Sequence, residues 1–335
     1  MLSQKFSWIR GLPVALIALA PLTPAQAQAP REITLNSFKS STLWPVWAAQ
    51  KHGFLGKQGI ALKNVYTQNS VAQMVGLIKG DFDMVTTALD NVIAYAEGEG
   101  APDAPKDADL IAYMGGTNGA LSLIAQPDIK SVKVLKGRDL AVDAVGTGYT
   151  FVLREILAKE GIAPGDYTLI EFGNTGARWQ ALQKGQAAAG LLSPPVSQSA
   201  VGAGFSNLAD VADALGGYQG TVGASRRDWA KRNPDLVAGF IRGYRQGLDW
   251  LRDPANKAQA IEILRGEIAG TSEAAGAEAY ASLVLNPRGF DAGGKLDPAG
   301  AARVLELRRK YGPQGKPASD ISRFIDESYF ARAEK

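Results

Sequence analysis

The 335-residue sequence predicts an α/β protein with two similar lobes. Short apolar runs typical of strands alternate with segments of helical apolar spacing, a pattern that favours mostly parallel sheets. Residues 69–80 resemble residues 174–185 at a constant offset, and two Gly-Gly-x-x-Gly segments punctuate the chain. After Ser225 the sequence is almost wholly helical in pattern.

The elements of the first repeat follow one another at short intervals. Asn69-Ser70 is a helix-capping pair, and Gly53 and Gly80 stand where two helices should stop. We predict strands at 33–37, 60–65 and 83–86, and helices at 42–52, 70–79 and 88–97.

The stretch from Asp139 to Gly161 repeats the plan as strand, glycine turn and helix. A turn at Gly146-Thr147-Gly148 would expose backbone N–H groups at a helix N-terminus, which favours a negative or polar ligand atom. Phe151 stands where a dinucleotide-binding fingerprint needs its third glycine, and no Gly-Lys pair is followed by the Ser or Thr of a P-loop. An ordinary strand-to-helix turn is the plain alternative.

The internal repeat predicts two lobes built on one plan. Asn69–Gly80 and Asn174–Gly185 share Asn, Ala, Leu, Lys and Gly, and a Ser in one matches a Thr in the other. The segments 115–119 and 216–220 are candidate hinges, because glycine lowers the steric cost of large backbone rotations. The alternative to a true repeat is chance similarity between the two segments. The alternative to hinges is that the two glycine-rich segments are ordinary turns.

These features divide the chain into three parts. Residues 1–27 are predicted to be a signal peptide, residues 28–118 plus 222–335 lobe 1, and residues 119–221 lobe 2. The later helices, predicted at 254–268, 272–284 and 298–311 after one that begins at Pro234, are expected to pack on lobe 1.

The N-terminal segment has the three regions of an export signal. Lys5 and Arg10 precede the apolar run Leu12–Leu22, and Ala25-Gln26-Ala27 forms a small-x-small cleavage site. A membrane anchor would need a longer apolar run. The chain has no cysteine, so we expect no disulfide and no lipid anchor, and a mature protein that begins at Gln28 in a periplasm.

The composition offers little for catalysis. The formal net charge of +3 falls close to zero once Lys5 and Arg10 are removed, so nucleic acid is not an expected partner. The single histidine, His52, precedes Gly53 and is expected to be solvated at a helix C-terminus. Without a Gly-x-Ser-x-Gly motif or a Cys/His cluster, we predict no catalytic residue, no metal site and no cofactor.

Ligands in α/β sheets bind beyond the carboxyl ends of the strands. Here these ends carry hydroxyls, amides, glycines and helix starts. The candidate ligand-binding residues, at the strand ends and beside the hinges, are Phe38, Ser40, Ser41, Thr42, Trp44, Thr87, Asp90, Asn118, Gly146, Thr147, Gly148, Tyr149, Thr150, Asn174, Ser193 and Tyr218.

Four motifs in order resemble one known family. They are Ala48–Phe54, Leu77-x-Lys-Gly-x-x-Asp83, Asp143–Gly148 and Leu182-x-x-Gly-x-x-x-Ala189. The sequence is similar in them to periplasmic solute-binding proteins of ABC importers, of the sulfonate, nitrate and taurine type with its pyrimidine-precursor-binding relatives. The resemblance implies a type II binding-protein fold, in which two lobes joined by two crossovers close on a ligand. It also implies that the loops at 40–44, 87–90 and 146–150 line the cleft.

The resulting prediction is a monomeric binding protein that delivers a small solute to an inner-membrane ABC permease. An organic anion such as a sulfonate or aromatic carboxylate is the first expectation. Trp44 and Tyr149 flank the predicted cleft, so a pyrimidine or another heteroaromatic solute is the alternative. An enzyme acting on a small heterocycle and a receptor-linked sensor are further alternatives, the former weakened by the misplaced histidine and the absent cysteines.

The repeat also suggests how an anion could be held. The turn at 146–150 would contact the ligand from lobe 2 and residues 40–42 from lobe 1, so that two helix N-termini converge without a buried arginine. We further expect the protein without its ligand to be more open.

Overall fold

A computed structural model describes residues 1–2, 4, 29–106, 108–313 and 320–335 of the chain. The charged, apolar and cleavage-site residues of the predicted signal peptide lie outside the described residues. In the described ranges, no helix is both long enough and apolar enough to cross a membrane.

The described strands form two five-stranded sheets, one in each lobe. The sheet of lobe 1 has the order β2-β1-β3-β10-β4, and that of lobe 2 has the order β7-β6-β8-β5-β9. The strands are β1 (Arg31–Ser37), β2 (Ile60–Tyr66), β3 (Met84–Ala88), β4 (Leu110–Gly115), β5 (Ser122–Ala125), β6 (Asp139–Val142), β7 (Thr168–Glu171), β8 (Ala189–Leu192), β9 (Ser206–Asp210) and β10 (Thr221–Arg226).

The helices that the sequence predicts lie close to their predicted positions. Short 3-10 turns at Ser41–Leu43 and Pro254–Asn256 begin two of the predicted helices, and a π turn at Ala281–Leu285 extends a third. The α-helices are α1 (Trp44–Lys51), α2 (Phe54–Lys57), α3 (Ser70–Lys79), α4 (Leu89–Ala96), α5 (Gly148–Lys159), α6 (Thr175–Gln183), α7 (Val196–Gly202), α8 (Val211–Leu215), α9 (Arg227–Arg232), α10 (Pro234–Arg252), α11 (Lys257–Glu267), α12 (Glu273–Tyr280), α13 (Pro298–Tyr311) and α14 (Ser328–Ala333). Of these, the structure adds α2, α7, α8, α9 and α14 to the predicted helices.

Each sheet is mixed, which corrects the expectation of mostly parallel sheets. In lobe 1, β10 runs antiparallel to both β3 and β4, and in lobe 2, β5 runs antiparallel to β8 and β9. Both strands directly follow a crossover from the other lobe, so each enters its sheet from the opposite end. The predicted two-lobed α/β fold is confirmed.

The cap residues of the repeat are equivalent in the two lobes. The Asn69 side chain accepts a hydrogen bond from the Ala72 amide at 2.8 Å at the start of α3. The Asn174 side chain accepts one from the Ala177 amide at 3.0 Å at the start of α6. Each side chain satisfies a backbone donor that has no partner within its helix, so the sequence match reflects a shared cap geometry.

The two Gly-Gly-x-x-Gly segments lie side by side between the lobes. The Gly220 amide donates to the Thr117 carbonyl at 2.8 Å, and the Gly116 amide donates to the Thr221 carbonyl at 2.9 Å. A Cβ atom on Gly220 would lie 2.9 Å from the Thr117 carbonyl oxygen, so only glycine permits this approach. Their role as hinges, and the lobe boundaries at 118 and 221, stay predictions.

The C-terminal helices pack on lobe 1, as predicted, and α12 and α13 also contact lobe 2. Apolar residues of α10, including Phe240 and Leu248, share a buried cluster with Leu35 of β1 and Trp44 of α1. A second cluster spans the two lobes and includes Leu77, Val142, Phe151 and residues of α13. The lobes are therefore in contact in this structure, and α13 contributes to the apolar surface that they share.

His52 is not solvated as the sequence suggested. Its ring lies 4.1 Å from the Trp250 ring and 5.8 Å from the Phe54 ring, measured between centroids. Burial and the neighbouring Lys51 lower the pKa of His52. A neutral aromatic packing role explains this residue, because α10 brings Trp250 over the end of α1.

Candidate ligand-binding cleft

A cavity of about 610 Å³ lies between the two lobes. Both lobes contribute, mainly through loops at the carboxyl ends of β1, β2, β3, β6, β7 and β8, where an α/β sheet presents its binding loops. Four aromatic side chains, Phe38, Tyr66, Tyr149 and Trp179, lie on the wall among hydroxyl and amide groups. Such a mixture of apolar surface with a few polar groups is typical of small-molecule sites.

Half of the candidate residues from the sequence are brought together on this wall. They are Phe38, Ser40, Thr42, Thr87, Thr147, Tyr149, Asn174 and Ser193. As ligand contacts they remain predictions. The structure shows that loops far apart in the chain place them around one space.

Two candidates from the first loop face the protein interior instead. The indole Nε1 of Trp44 donates to the Ala260 carbonyl at 2.9 Å, and the side chain is fully buried. The Ser41 hydroxyl donates to the carbonyl of Pro194 in lobe 2. Trp44 therefore anchors α1 against α11, while Ser41 forms a contact between the lobes.

The start of α5 is also occupied by protein groups. The fully buried Asp90 carboxylate accepts hydrogen bonds from the Arg308 guanidinium, and the Asp90 side chain packs against Gly148. The Thr150 hydroxyl donates to the Ala144 carbonyl at 2.8 Å. Asp90, Gly148 and Thr150 do not line the cavity, so the predicted anion site at this helix N-terminus is filled by a carboxylate from lobe 1.

The remaining candidates lie beside the crossovers or in solvent. Asn118 donates to the Asp297 carboxylate at 3.1 Å and accepts from the Tyr218 amide at 2.8 Å. Tyr218 is buried, and its ring lies 5.9 Å from the Tyr149 ring. Gly146 is exposed. None of these three lines the cavity, because each is held by the crossover or turned outward.

The most informative residue that the sequence interpretation missed is Arg178, in the first turn of α6. It is 7% exposed and lines the cavity. Its Nε donates to the Leu191 carbonyl at 3.0 Å, and Nη2 lies 3.1 Å from the Thr175 hydroxyl, while Nη1 donates to the Gly173 carbonyl. A buried arginine therefore lines the predicted ligand cavity. The sequence repeat had suggested that two helix N-termini hold an anion without such an arginine.

The positive charge of Arg178 is not neutralised by a nearby carboxylate. Among the described residues, none places a carboxylate oxygen within 4.0 Å of its guanidinium nitrogens. Burial lowers the pKa of Arg178, and the more distant Asp143 opposes that effect. An arginine nevertheless stays protonated in proteins, so the cavity contains a partly desolvated cation.

The repeat held a signal that could have found Arg178. In the alignment of the two copies, Arg178 occupies the position of Gln73 in α3. Gln73 is fully buried and donates to the Asn36 and Thr86 carbonyls, both at 3.2 Å. The position points inward in both lobes, but only lobe 2 places a charge there.

Asp143 is the carboxylate of the cavity wall. Its Oδ2 accepts a hydrogen bond from the Ser70 hydroxyl at 2.6 Å, a contact between the lobes. Its Oδ1 is buried without a hydrogen-bond partner in the described structure. A second contact between the lobes lies nearby, where the Asn174 side chain donates to Gln68 at 2.9 Å. These contacts join the two lobes beside the cavity.

The comparison with family models decides the family. The model described as "NMT1/THI5 like" matches residues 41–258, more than half of the chain. The chain belongs to the NMT1/THI5-like family. The matched span of this NMT1/THI5-like protein contains Arg178, Tyr149 and Thr42, while Phe38 and Ser40 precede it.

Solved structures share the fold of this NMT1/THI5-like chain. The alkanesulfonate-binding protein SsuA from Xanthomonas axonopodis pv. citri, bound to MOPS, has a TM-score of 0.71 and 19% identity, covering 90% of this chain and 99% of that one. The periplasmic nitrate-binding protein NrtA from Synechocystis PCC 6803 has a TM-score of 0.77 and 13% identity, covering 91% and 88%.

A third structure has the same arrangement. The ligand-binding component of an ABC-type import system from Staphylococcus aureus, with zinc bound, has a TM-score of 0.75 and 15% identity, covering 90% of this chain and 99% of that one. No curated protein matches the chain in sequence. In the described residues, no group of three or more His, Asp or Glu side chains could hold a metal ion.

Proposed function

We propose that this protein is the periplasmic solute-binding component of an ABC importer, which captures a small organic anion with a planar or aromatic part. It would release this solute to an inner-membrane permease. Support comes from a two-lobed fold shared with a sulfonate-binding and a nitrate-binding protein. The signal-like N-terminal sequence supports export.

The single observation that carries the proposal is the Arg178 guanidinium in the cavity wall. It has five N–H donors in a fixed plane, and a carboxylate or sulfonate can accept two of them at once. Protein acceptors are assigned to three of its nitrogen atoms, but the partners are carbonyl and hydroxyl groups that carry no compensating charge. A ligand anion would supply that charge.

The rest of the wall suits the remainder of such a ligand. The rings of Phe38, Tyr66, Tyr149 and Trp179 offer apolar faces, and burial raises the pKa of Tyr149, which keeps its phenol neutral. Lys39 lies at the rim, 5.2 Å above the Tyr66 ring and 3.9 Å from Glu267. A second cation at the rim would attract an anion during its approach.

A ligand screen with purified mature protein tests the binding function. The panel contains aromatic carboxylates, alkanesulfonates, nitrate and pyrimidines, and thermal unfolding is measured with each. A compound present at about 100 times its dissociation constant adds roughly 2.7 kcal/mol to the free energy of unfolding. Stabilisation by the acids and not by neutral pyrimidines would support an anion site. Stabilisation by pyrimidines alone would contradict it.

A charge substitution then tests the assigned residue. We expect Arg178→Gln to weaken binding of the identified anion by about 10- to 100-fold, because a hydrogen bond to a charged group contributes about 1.5–3 kcal/mol. Arg232→Gln is the control, since Arg232 is exposed and pairs with Asp228 on the surface of α9. Calorimetric titration of both folded variants measures the difference. Equal affinities would place the anion elsewhere.

A further inference from the structure

The two lobes meet beside a buried ion pair of lobe 1 that is separate from the cavity wall. Asp90 in α4 is fully buried, and both of its carboxylate oxygens lie 3.0–3.1 Å from Nη1 of Arg308 in α13. The same side chain packs against Gly148, the first residue of α5 in lobe 2, where an added Cβ atom would lie 2.4 Å from the Asp90 Cβ and 2.8 Å from its Cγ. One side chain of lobe 1 thus lies at the N-terminus of a helix of lobe 2.

The contact continues along α13. Nη2 of Arg308 lies 2.8 Å from the Glu99 carboxylate. Two and three residues further on, the Lys310 ammonium and the Tyr311 hydroxyl each donate to Glu155 of α5 at 2.7 Å. Helix α13 follows the second crossover in the chain, yet it contacts the first helix of lobe 2 along its last turn. It therefore bridges the two lobes.

The ionisable groups of this cluster lie in lobe 1, and lobe 2 contributes the N-terminus of α5. Asp90 and Glu99 share the single positive charge of Arg308, and burial raises the pKa of Asp90 while Arg308 opposes that rise. The N-terminus of α5 supplies a further partial positive charge. If the lobes separated, the Asp90 side chain would move away from the N-terminus of α5 and lose its partial positive charge. That loss favours the closed arrangement.

We propose that Asp90 is an internal anion that holds the lobes closed at the start of α5, so that the closed form is favoured before any solute binds. Asp90 is in this view a positioning residue and not a ligand contact. It fixes Gly148, and with it the next residue, Tyr149, in the cavity wall. Because the helix N-terminus is already occupied, the ligand anion is left to Arg178.

Two substitutions perturb this contact from its two sides. Asp90→Asn removes the charge with little change of shape and leaves Arg308 paired with Glu99. Gly148→Ala leaves the charges intact, but its Cβ atom would lie 2.4 Å from both the Asp90 Cβ and the Tyr218 hydroxyl, so it forces the lobes apart. Gly146→Ala is the matched control in the same turn, since no atom lies within 4 Å of the added Cβ.

Because the sequence contains no cysteine, a thiol-reactive label attaches to introduced cysteines alone. Lys63 and Thr168 are exposed on β2 and β7, the edge strands of the two sheets that lie farthest from the crossover strands. Cysteines introduced at both positions carry spin labels, and the distance between the labels is measured by pulsed electron resonance without any ligand. This readout is independent of the proposed transport function and of the identity of the solute.

We expect the otherwise native protein to show mainly the short distance, and Gly146→Ala to match it. Asp90→Asn and Gly148→Ala should each lower the ratio of closed to open molecules by about tenfold or more, as expected when a buried negative charge is lost or moved away from a helix N-terminus. Circular dichroism confirms that each variant is folded. If Gly148→Ala does not fold, the label distance in Asp90→Asn alone tests the proposal. Unchanged distances in a folded Asp90→Asn protein, or a mainly open native protein, would overturn the proposal.

Discussion

The carboxyl group of Asp291 should make the stability of this protein depend on pH. Asp291 is 5% exposed and lies against the crossover segments. Its carboxylate accepts a hydrogen bond from the Gln219 side chain at 2.8 Å, and its own amide donates to the Gly116 carbonyl at 3.1 Å. Burial, reinforced by the nearby Asp297, raises the pKa of Asp291 from 3.8 to about 7, although Gln219 and Arg252 oppose the shift.

The sign of the effect follows from proton binding. In the unfolded chain Asp291 gives up its proton near pH 4, whereas in the folded protein it keeps the proton up to about pH 7. Between these values the folded state binds more protons than the unfolded state, so the free energy of unfolding falls as the pH rises. Above about pH 7 this contribution no longer changes.

The pKa difference sets a ceiling on the magnitude. At about 1.4 kcal/mol for each pH unit, the interval from pH 4 to pH 7 corresponds to on the order of 4 kcal/mol. Asp291→Asn introduces a neutral side chain of the same shape that can still accept from Gln219. We therefore expect this variant to lack that part of the pH dependence and to exceed the native protein in stability by about 1–4 kcal/mol at pH 8.

Urea unfolding followed by tryptophan fluorescence at pH 5, 6, 7 and 8 measures the difference. Asp128→Asn is the control, because Asp128 is an exposed carboxylate whose substitution should leave the native pH profile unchanged. If Asp291→Asn and the native protein lose stability in parallel between pH 5 and pH 8, the carboxyl group does not hold its proton in the folded state and the reasoning is refuted.

Three further predictions address the cap, the α5 turn and export. Asn69→Ala should lower the free energy of unfolding by about 1 kcal/mol in urea titrations, because the first turn of α3 loses its side-chain cap. An unchanged free energy of unfolding would contradict a stabilising role of this cap. Thr150→Ala should reduce the melting temperature, because the Thr150 hydroxyl donates to the Ala144 carbonyl, while the ligand affinity measured by calorimetry stays the same. A weakened affinity would indicate that Thr150 contacts the ligand. N-terminal sequencing of exported protein should begin at Gln28, and a retained Met1 would contradict the predicted signal peptide.

Local signals were enough to predict the order of elements and the family. Apolar spacing located the strands and helices to within a few residues, and Asn69 and Asn174 identified equivalent caps because capping depends on a few neighbouring residues. The repeat predicted two lobes, and the ordered motifs indicated the family later matched over residues 41–258.

The choice of ligand-facing side chains was not visible in the sequence. Ser40 and Thr42 line the cavity, whereas Ser41 and Trp44, in the same loop, face other parts of the protein. The loop forms a 3-10 turn before α1, and each side chain takes its direction from that turn and from the elements packed around it. Residue type alone does not fix such a direction.

The alternation of strands and helices, their caps and the two-lobed plan can be predicted from local sequence, because they depend on propensities and contacts within a few residues. The positions of Asp90 at the N-terminus of α5 and of Arg178 in the cavity wall depend on how distant segments pack together. Asp90 lies 218 positions from its partner Arg308, and Gly148 belongs to the other lobe. Charge neutralisation between such distant segments depends on how the lobes pack, which no local pattern records.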